Sequence, residues 1–414
     1  MSKLIKNCRI CGNPNLIKVL DLGDQFLTGV FPKEKNQQIS CGPLQLVKCH
    51  EKSPSQNICG LLQISHDYDL NEMYGDSYGY RSGLNPSMVS HLQEKVSHLL
   101  KTVNLSDEDL VIDIGSNDST TLQAYPNHKC ELVGVDPTGK KFIEYYPSHI
   151  KLIPDFFSLE IVQKYLGNKK AKIITSFSMF YDLDKPLEFM SEVSKILAHD
   201  GIWVFEQSYM PTMLDSNSYD TVCHEHKEYY GLHQIKWMTD KVGLRIIDVQ
   251  FNKVNGGSFS VTVAHSSSNY KIFTLLQKLL DEEKYKSLDT LSPYLEFSKR
   301  TEKLRLKLID FLKHAKSKGK TVGALGASTK GNVILQYCNI TEKEIFCVGE
   351  VNVDKFNSYT PGTLLPIISE DELIDKKPDY LIVLPWHFKD FFIKNKKFKD
   401  TQLIFPLPDI NFGS

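Results

Sequence analysis

Two apolar runs, Arg245–Phe251 and Ser258–His265, follow one another with only Asn252 to Gly257 between them. So short an interval cannot hold a crossover helix, so these strands are antiparallel. The preceding stretch reads differently. Leu110–Asn117, Glu131–Thr138, Ile150–Phe156, Lys172–Phe180 and Gly201–Ser208 are strand-like, and helical segments separate most of them. That alternation builds a parallel, doubly wound α/β sheet. A plain dinucleotide-binding sheet continues parallel, whereas this one ends in a reversed hairpin.

The chain of 414 residues exceeds what one hydrophobic core usually supports. Three modules are expected: residues 1–70, 71–265 and 266–414. The first holds five of the nine cysteines and shows little helical period. In the last, residues 270–317 are helical by pattern, and Lys320–Ser328, Glu344–Asn352, Asp379–Trp386 and Gln402–Asp409 are the strands of a second Rossmann-like α/β unit. A net charge of −1 gives no general drive toward nucleic acid or anionic membrane. The segment Met1–Gly12 lacks the apolar stretch of a signal peptide, and no run approaches the ~20 residues of a membrane span. A cytoplasmic protein is expected, monomeric or weakly homo-oligomeric.

Cys8 and Cys11 form a C-x-x-C followed by Gly12, the shape of a zinc knuckle. The second pair is Cys49 and Cys59, again followed by glycine, with Cys41 and His50 as possible substitutes and free buried thiols as the alternative. Four such ligands close the coordination shell, so the zinc is structural.

Asp113, Gly115, Asn117 and Asp118 lie at the carboxyl end of the first parallel strand, where a doubly wound sheet binds its ligand. Acidic groups there repel a pyrophosphate but suit a cationic amino group, which favours S-adenosylmethionine over a dinucleotide. The third glycine of G-x-G-x-x-G is also missing. Asp136, ending the second strand 21 residues beyond Gly115, is placed for ribose hydroxyls. Asp155 and Phe156 are candidates for the adenine, and Ser176 on the fourth strand is a further cofactor candidate. Five parallel strands, a terminal hairpin and this loop predict a class I methyltransferase sheet.

Cys223-His224-Glu225-His226 follows the fifth strand. Two imidazoles and a carboxylate in one short segment suit proton chemistry at neutral pH or metal binding, or form a polar loop that anchors the sheet. Tyr74, Tyr78 and Tyr80 precede Arg81-Ser82 and pack as core or exchange a proton. In the last module, Gly323 to Asn332 is a glycine-rich strand-to-helix turn in which Ser328, Thr329 and Lys330 make an anion cradle, or which serves close packing.

Taken together, CRICG, CGLLQ (59–63), YGYRS (78–82), DIGSND, CHEHKEYY, NGGSFSV (255–261), GASTKGN (326–332) and YTPGT (359–363) give the chain a resemblance. It resembles the nucleotide-sugar C-methyltransferases that act on carbon 3 of 4-keto-deoxyhexoses. The likeness spans nearly the whole chain and implies a zinc-binding, a methyltransferase and a carboxyl-terminal α/β domain. It implies S-adenosylmethionine and structural zinc, with His226 as the base, Glu225 beside it, and Tyr78 or Tyr80 sharing the acid–base work. His224 completes the catalytic set. Asn255, Ser328, Lys330, Asn332 and Tyr359 are the expected substrate contacts. The chain departs from better-known members in having Phe180-Tyr181-Asp182 where a histidine follows the fourth strand, and Cys223 where some have tyrosine. The expected chemistry is proton removal beside a ketone followed by methyl transfer to the enolate carbon. The rival readings are an oxygen- or nitrogen-methyltransferase of another small molecule and a non-enzymatic nucleotide-sugar-binding protein.

Overall fold

A computed structural model describes residues 2–52, 57–69, 72–73, 80–126 and 130–413. The chain makes two compact units, neither continuous in sequence: Met1–Tyr78 with Met210–Tyr229 and Lys284–Ser414, and Gly79–Tyr209 with Tyr230–Glu283. The sequence pattern suggests three consecutive blocks instead. What regroups them is burial. Met210, Met213, Leu214, Tyr219, Val222, Cys223 and Tyr229 share one hydrophobic core with Leu20, Leu46 and Leu62 from the amino-terminal segment and Val333, Ile334 and Leu335 from the carboxyl-terminal one.

The second unit is built on a seven-stranded sheet in the spatial order Leu244–Asn252, Ser258–His265, Leu197–Ser208, Ala171–Phe177, Leu110–Ile114, Glu131–Val135, Ile150–Ile153. The last five are mutually parallel, and Ser258–His265 runs antiparallel to both of its neighbours. The reversed hairpin is therefore present, with Asn255 in its turn at φ +54°. All five residues of Leu110–Ile114 are buried, as a strand covered on both faces requires. The helix Pro86–Thr102 starts on an Asn85 cap and packs Val96 and Leu99 with Val111, Ile173 and Val204.

This unit also holds the points where the chain leaves and returns. Tyr209 and Tyr230 are joined by a β-bridge. The buried Glu283 carboxylate accepts from the Tyr209 hydroxyl at 2.7 Å, the Leu232 amide at 2.6 Å and the His233 amide at 3.0 Å.

The first unit contains two larger sheets. One is antiparallel and ordered Glu228–Tyr229, Leu62–Ile64, Cys41–Cys49, Leu16–Phe26. The other is ordered Ile367–Ser369, Val348–Glu350, Val322–Leu325, Tyr380–Val383, Gln402–Phe405, Asn411–Gly413, parallel except for its last strand. The helix Ser292–Ser317 buries Leu304, Leu308 and Leu312, one face at helical spacing. Among the described residues, no helix is long and apolar enough to cross a membrane.

Candidate active site and metal centre

The sulfurs of Cys8, Cys11, Cys49 and Cys59 all lie within 4.8 Å of one another, with Cys8 to Cys59 at 3.4 Å and Cys11 to Cys49 at 3.6 Å. Zinc bonded to sulfur at about 2.3 Å in a tetrahedron sets its ligands roughly 3.8 Å apart, so the quartet fits that ion. Gly12 and Gly60 each follow a ligand at positive φ, +72° and +65°. Only a residue without Cβ turns freely there. The Gly12 amide donates to the Cys8 carbonyl at 2.9 Å, closing the knuckle. Burial, aided by the three neighbouring thiols, pushes the Cys59 thiol well above its ordinary range. Four thiolates in this space therefore need a dication. The buried Lys48 ammonium beside them, donating to the Gly60 carbonyl at 2.5 Å, offsets the remaining negative charge. Cys41 is exposed and lies outside the cluster, as does His50.

In the second unit, Gly115 turns at φ +76° just past the first parallel strand. Asp136 ends the second strand, where its Oδ2 accepts from the Asn117 amide at 2.8 Å and its Oδ1 from the Thr138 amide at 2.7 Å. Asp155 and Phe156 follow the third strand, and Phe156 is 51% exposed, an apolar residue open to a planar ligand. A left-handed turn, a carboxylate and an open ring at successive strand ends fit S-adenosylmethionine.

Other expected cofactor contacts are turned to internal work. Asp113 is buried, accepts from the Thr175 hydroxyl at 2.5 Å, and is pushed by burial up to about 7. Ser176 is buried and accepts from the Trp203 indole at 3.0 Å. The Asn117 and Asp118 side chains accept from the Ser82 and Gly83 amides at 3.0 and 2.9 Å. They thereby pin the turn after Tyr80, whose ring is exposed and whose carbonyl accepts from Asn117 Nδ2 at 3.1 Å. Tyr74 and Tyr78 lie outside the described residues.

The His224–Glu225–His226 segment belongs to the first unit. His226 is half-buried and its Nδ1 lies 2.9 Å from the Thr221 carbonyl. A carbonyl only accepts, so Nδ1 carries the proton and Nε2 keeps its lone pair. The tautomer of His226 is therefore set by the Thr221 carbonyl. Glu225 instead accepts from the Thr28 hydroxyl at 3.4 Å, and burial pushes its carboxyl up. Burial and the nearby Lys330 ammonium push His226 down to about 3. His224 is completely buried, stands edge-on to Tyr68 at 4.5 Å, and is likewise pushed by burial down to about 3.

Of the carboxyl-terminal candidates, Ser328 caps the helix Thr329–Tyr337 by accepting from the Gly331 amide at 3.0 Å. Asn332 is buried and donates to the Thr28 carbonyl at 2.7 Å. The half-buried Lys330 faces Asp220, which also accepts from the Trp386 indole at 2.8 Å. The Tyr359 amide donates to the Pro32 carbonyl at 2.8 Å, and its half-buried ring lies under Lys35. Asn255 remains in its hairpin turn in the other unit. Thr28, Asp220, Thr221 and Trp386 carry no sequence signal, since each acts through a contact distant along the chain.

The sheet order, its reversed strand and the turn at Gly115 define a class I methyltransferase that uses S-adenosylmethionine. Three family models match in succession: "Putative zinc binding domain" over residues 8–74, "Methyltransferase domain" over 88–249 and "C-methyltransferase C-terminal domain" over 253–408. The C-methyltransferase NovU of Streptomyces niveus is 28% identical over 98% of this chain and 96% of its own. The protein is similar to this relative and to the three models along nearly its whole length, and it transfers methyl groups from S-adenosylmethionine to carbon. Solved structures with similarity include an S-adenosylmethionine-dependent methyltransferase from Clostridium acetobutylicum, at 11% identity, 43% and 92% coverage and TM-score 0.35. Another is the N-methyltransferase NodS from Bradyrhizobium japonicum, at 13% identity, 46% and 94% coverage and TM-score 0.34.

Two expectations follow. Zinc should copurify at about one atom per chain by elemental analysis, and Cys59→Ser should cut both zinc content and folded yield. Acid should destabilise the protein in a defined window. His224 and His226 stay neutral in the folded state down to about 3, whereas the unfolded chain takes up protons near 6.5. Stability is therefore full above 6.5 and falls as pH drops toward 3. Thermal unfolding against pH should show this fall, and His224→Gln should flatten it.

Proposed function

We propose that the acceptor is the carbon beside the ketone of a nucleotide-linked keto-deoxysugar, carbon 3 of a 4-keto-hexose, and that His226 removes its proton. The observation that carries this reading is the tautomer of His226, whose Nδ1 proton is held by the Thr221 carbonyl so that Nε2 carries the lone pair. A carbon acid of this kind needs a positioned base and a positive charge for the enolate oxygen. The Lys330 ammonium is suited to the second task. It disfavours imidazolium while the site is empty, which lowers the basicity of His226. Once an enolate forms, its negative charge compensates Lys330 and relieves that part of the bias against imidazolium which burial does not cause. This role makes Lys330 a contact to the enolate oxygen of the substrate.

Bound S-adenosylmethionine supplies a methyl group on a positively charged sulfur. Asp136 would hold its ribose hydroxyls, Phe156 would pack on its adenine, and Asp155 would face the adenine amino group. The enolate carbon forms the new bond to methyl as the carbon–sulfur bond breaks, and His226 later releases its proton to solvent. A small-molecule substrate also suits a near-neutral chain, and cysteines clustered as metal ligands suit a reducing, cytoplasmic setting.

Labelled S-adenosylmethionine offered with a panel of nucleoside-diphosphate keto-sugars should label one class of acceptor at carbon. In deuterated solvent that position should exchange, and an oxygen- or nitrogen-methylated product without exchange would defeat the reading. His226→Asn should keep both ligands yet lose ~100- to 10,000-fold in kcat, with solvent exchange falling in parallel. A dead Tyr80 or Tyr78 variant beside an active His226→Asn would make tyrosine the base. Asp136→Ala should weaken S-adenosylhomocysteine binding by about 1–3 kcal/mol in calorimetry, because ribose hydroxyls lose their acceptor.

A further inference from the structure

We propose that Thr28 and Gly29, in the amino-terminal zinc-bearing segment, form a receiving site for the Glu225 carboxylate and are positioning residues for the catalytic loop. The inference rests on the assignment of the Glu225–His226 loop to the reaction.

The Thr28 side chain is completely buried, and its hydroxyl donates to Glu225 Oε2 at 3.4 Å. The Gly29 amide and the Cys223 thiol also serve this carboxylate. The carboxylate occupies space that any other residue at position 29 would fill. A methyl group on Gly29 would fall inside the van der Waals shell of Glu225 Oε1 and touch Thr329 Oγ1 at 3.4 Å. The missing Cβ here provides room, since Gly29 does not lie at positive φ.

The receiving site is itself anchored from the far end of the chain. Asn332 donates to the Thr28 carbonyl at 2.7 Å. Gln336, one turn further along the same helix, accepts from the Phe26 amide at 2.8 Å and donates to the Phe26 carbonyl at 3.1 Å. Spacing of four residues puts both amides on one helix face, so they grip Phe26, the last residue of its strand, and Thr28 in the turn just past it. The buried Asn332 thus reaches Glu225 through Thr28, a role other than the substrate contact expected of it.

The test uses the full-length zinc-loaded enzyme and two readouts. Infrared difference titration of the protein against its Glu225→Gln variant isolates this one carboxyl. Donors favour the ionised form, so Thr28→Val should move its midpoint to higher pH, and Thr28→Ser should hold it near that of the unmodified protein. With the keto-sugar identified by the acceptor panel, Thr28→Val should lose roughly tenfold or more in kcat at nearly unchanged KM. The acid limb of its pH profile should shift upward, and Thr28→Ser should restore both. Gly29→Ala should also lose turnover, and adding Glu225→Asp in the same chain should return part of it by shortening the side chain. A Thr28→Val protein with unmoved midpoint and unmoved kcat would overturn the proposal, even if Gly29→Ala failed to fold. Should Glu225→Gln turn over at the normal rate, the role of Glu225 in the reaction fails instead, while the infrared midpoint still decides whether the receiving site exists.

Discussion

The two-residue pairing of Glu228–Tyr229 with Leu62–Gln63 is the contact on which the His224–Glu225–His226 segment depends. So short a strand has little stability alone and needs partners on every side. The Ile64 amide donates to the Lys227 carbonyl at 3.0 Å, extending the pairing. Arg9, lying between two zinc ligands, reaches the Ile64 carbonyl at 2.8 Å, Asp67 at 2.5 Å and the buried Glu228 at 3.7 Å. Zinc therefore does more than close a small domain. Held by Cys8 and Cys11, it would fix the backbone that carries Arg9, and Arg9 holds the strand that follows Glu225 and His226.

From that anchor the loop is assembled by backbone groups as much as by side chains. The short helical turn Tyr219–Thr221 offers the Thr221 carbonyl to His226 and the Asp220 carboxylate to Trp386 and Lys330. Adjacent residues thus set the tautomer of His226 and the place of the Lys330 cation. In a half-buried setting the field of Lys330 is screened less than in water, so it can influence both His226 and a nearby anion.

Elements with strong period or composition are legible in the chain of residues itself. The five strands of the central sheet, the reversed hairpin, the long helix Ser292–Ser317 and the Cys8, Cys11, Cys49, Cys59 set all appear in the fold. The strands Glu228–Tyr229, Ile367–Ser369 and Asn411–Gly413 escape such a reading, because two or three residues cannot display a period. Asp113 and Ser176 suggest ligand contacts by their place near strand ends. Both still lie within the ladder, Asp113 opposite Gly134 and Thr175, and Ser176 opposite Phe205. Their side chains consequently bond to neighbours in the sheet.

What the sequence determined by itself was local and chemical: which segments are strands, that the last pair reverses, which thiols are candidates for zinc, and which residue types can move a proton or hold a sulfonium cofactor. Hydrophobic period and ligand chemistry are properties of residues near in the chain, so they are visible there. Only the tertiary structure decided that residues 210–229 join the zinc-bearing and carboxyl-terminal segments, and that a carbonyl at 221 sets the imidazole. It alone put a glycine at 29 where it makes room for a carboxylate at 225. Burial and hydrogen bonding act on distance in space, and Thr28 and Glu225 lie 197 residues apart in the chain.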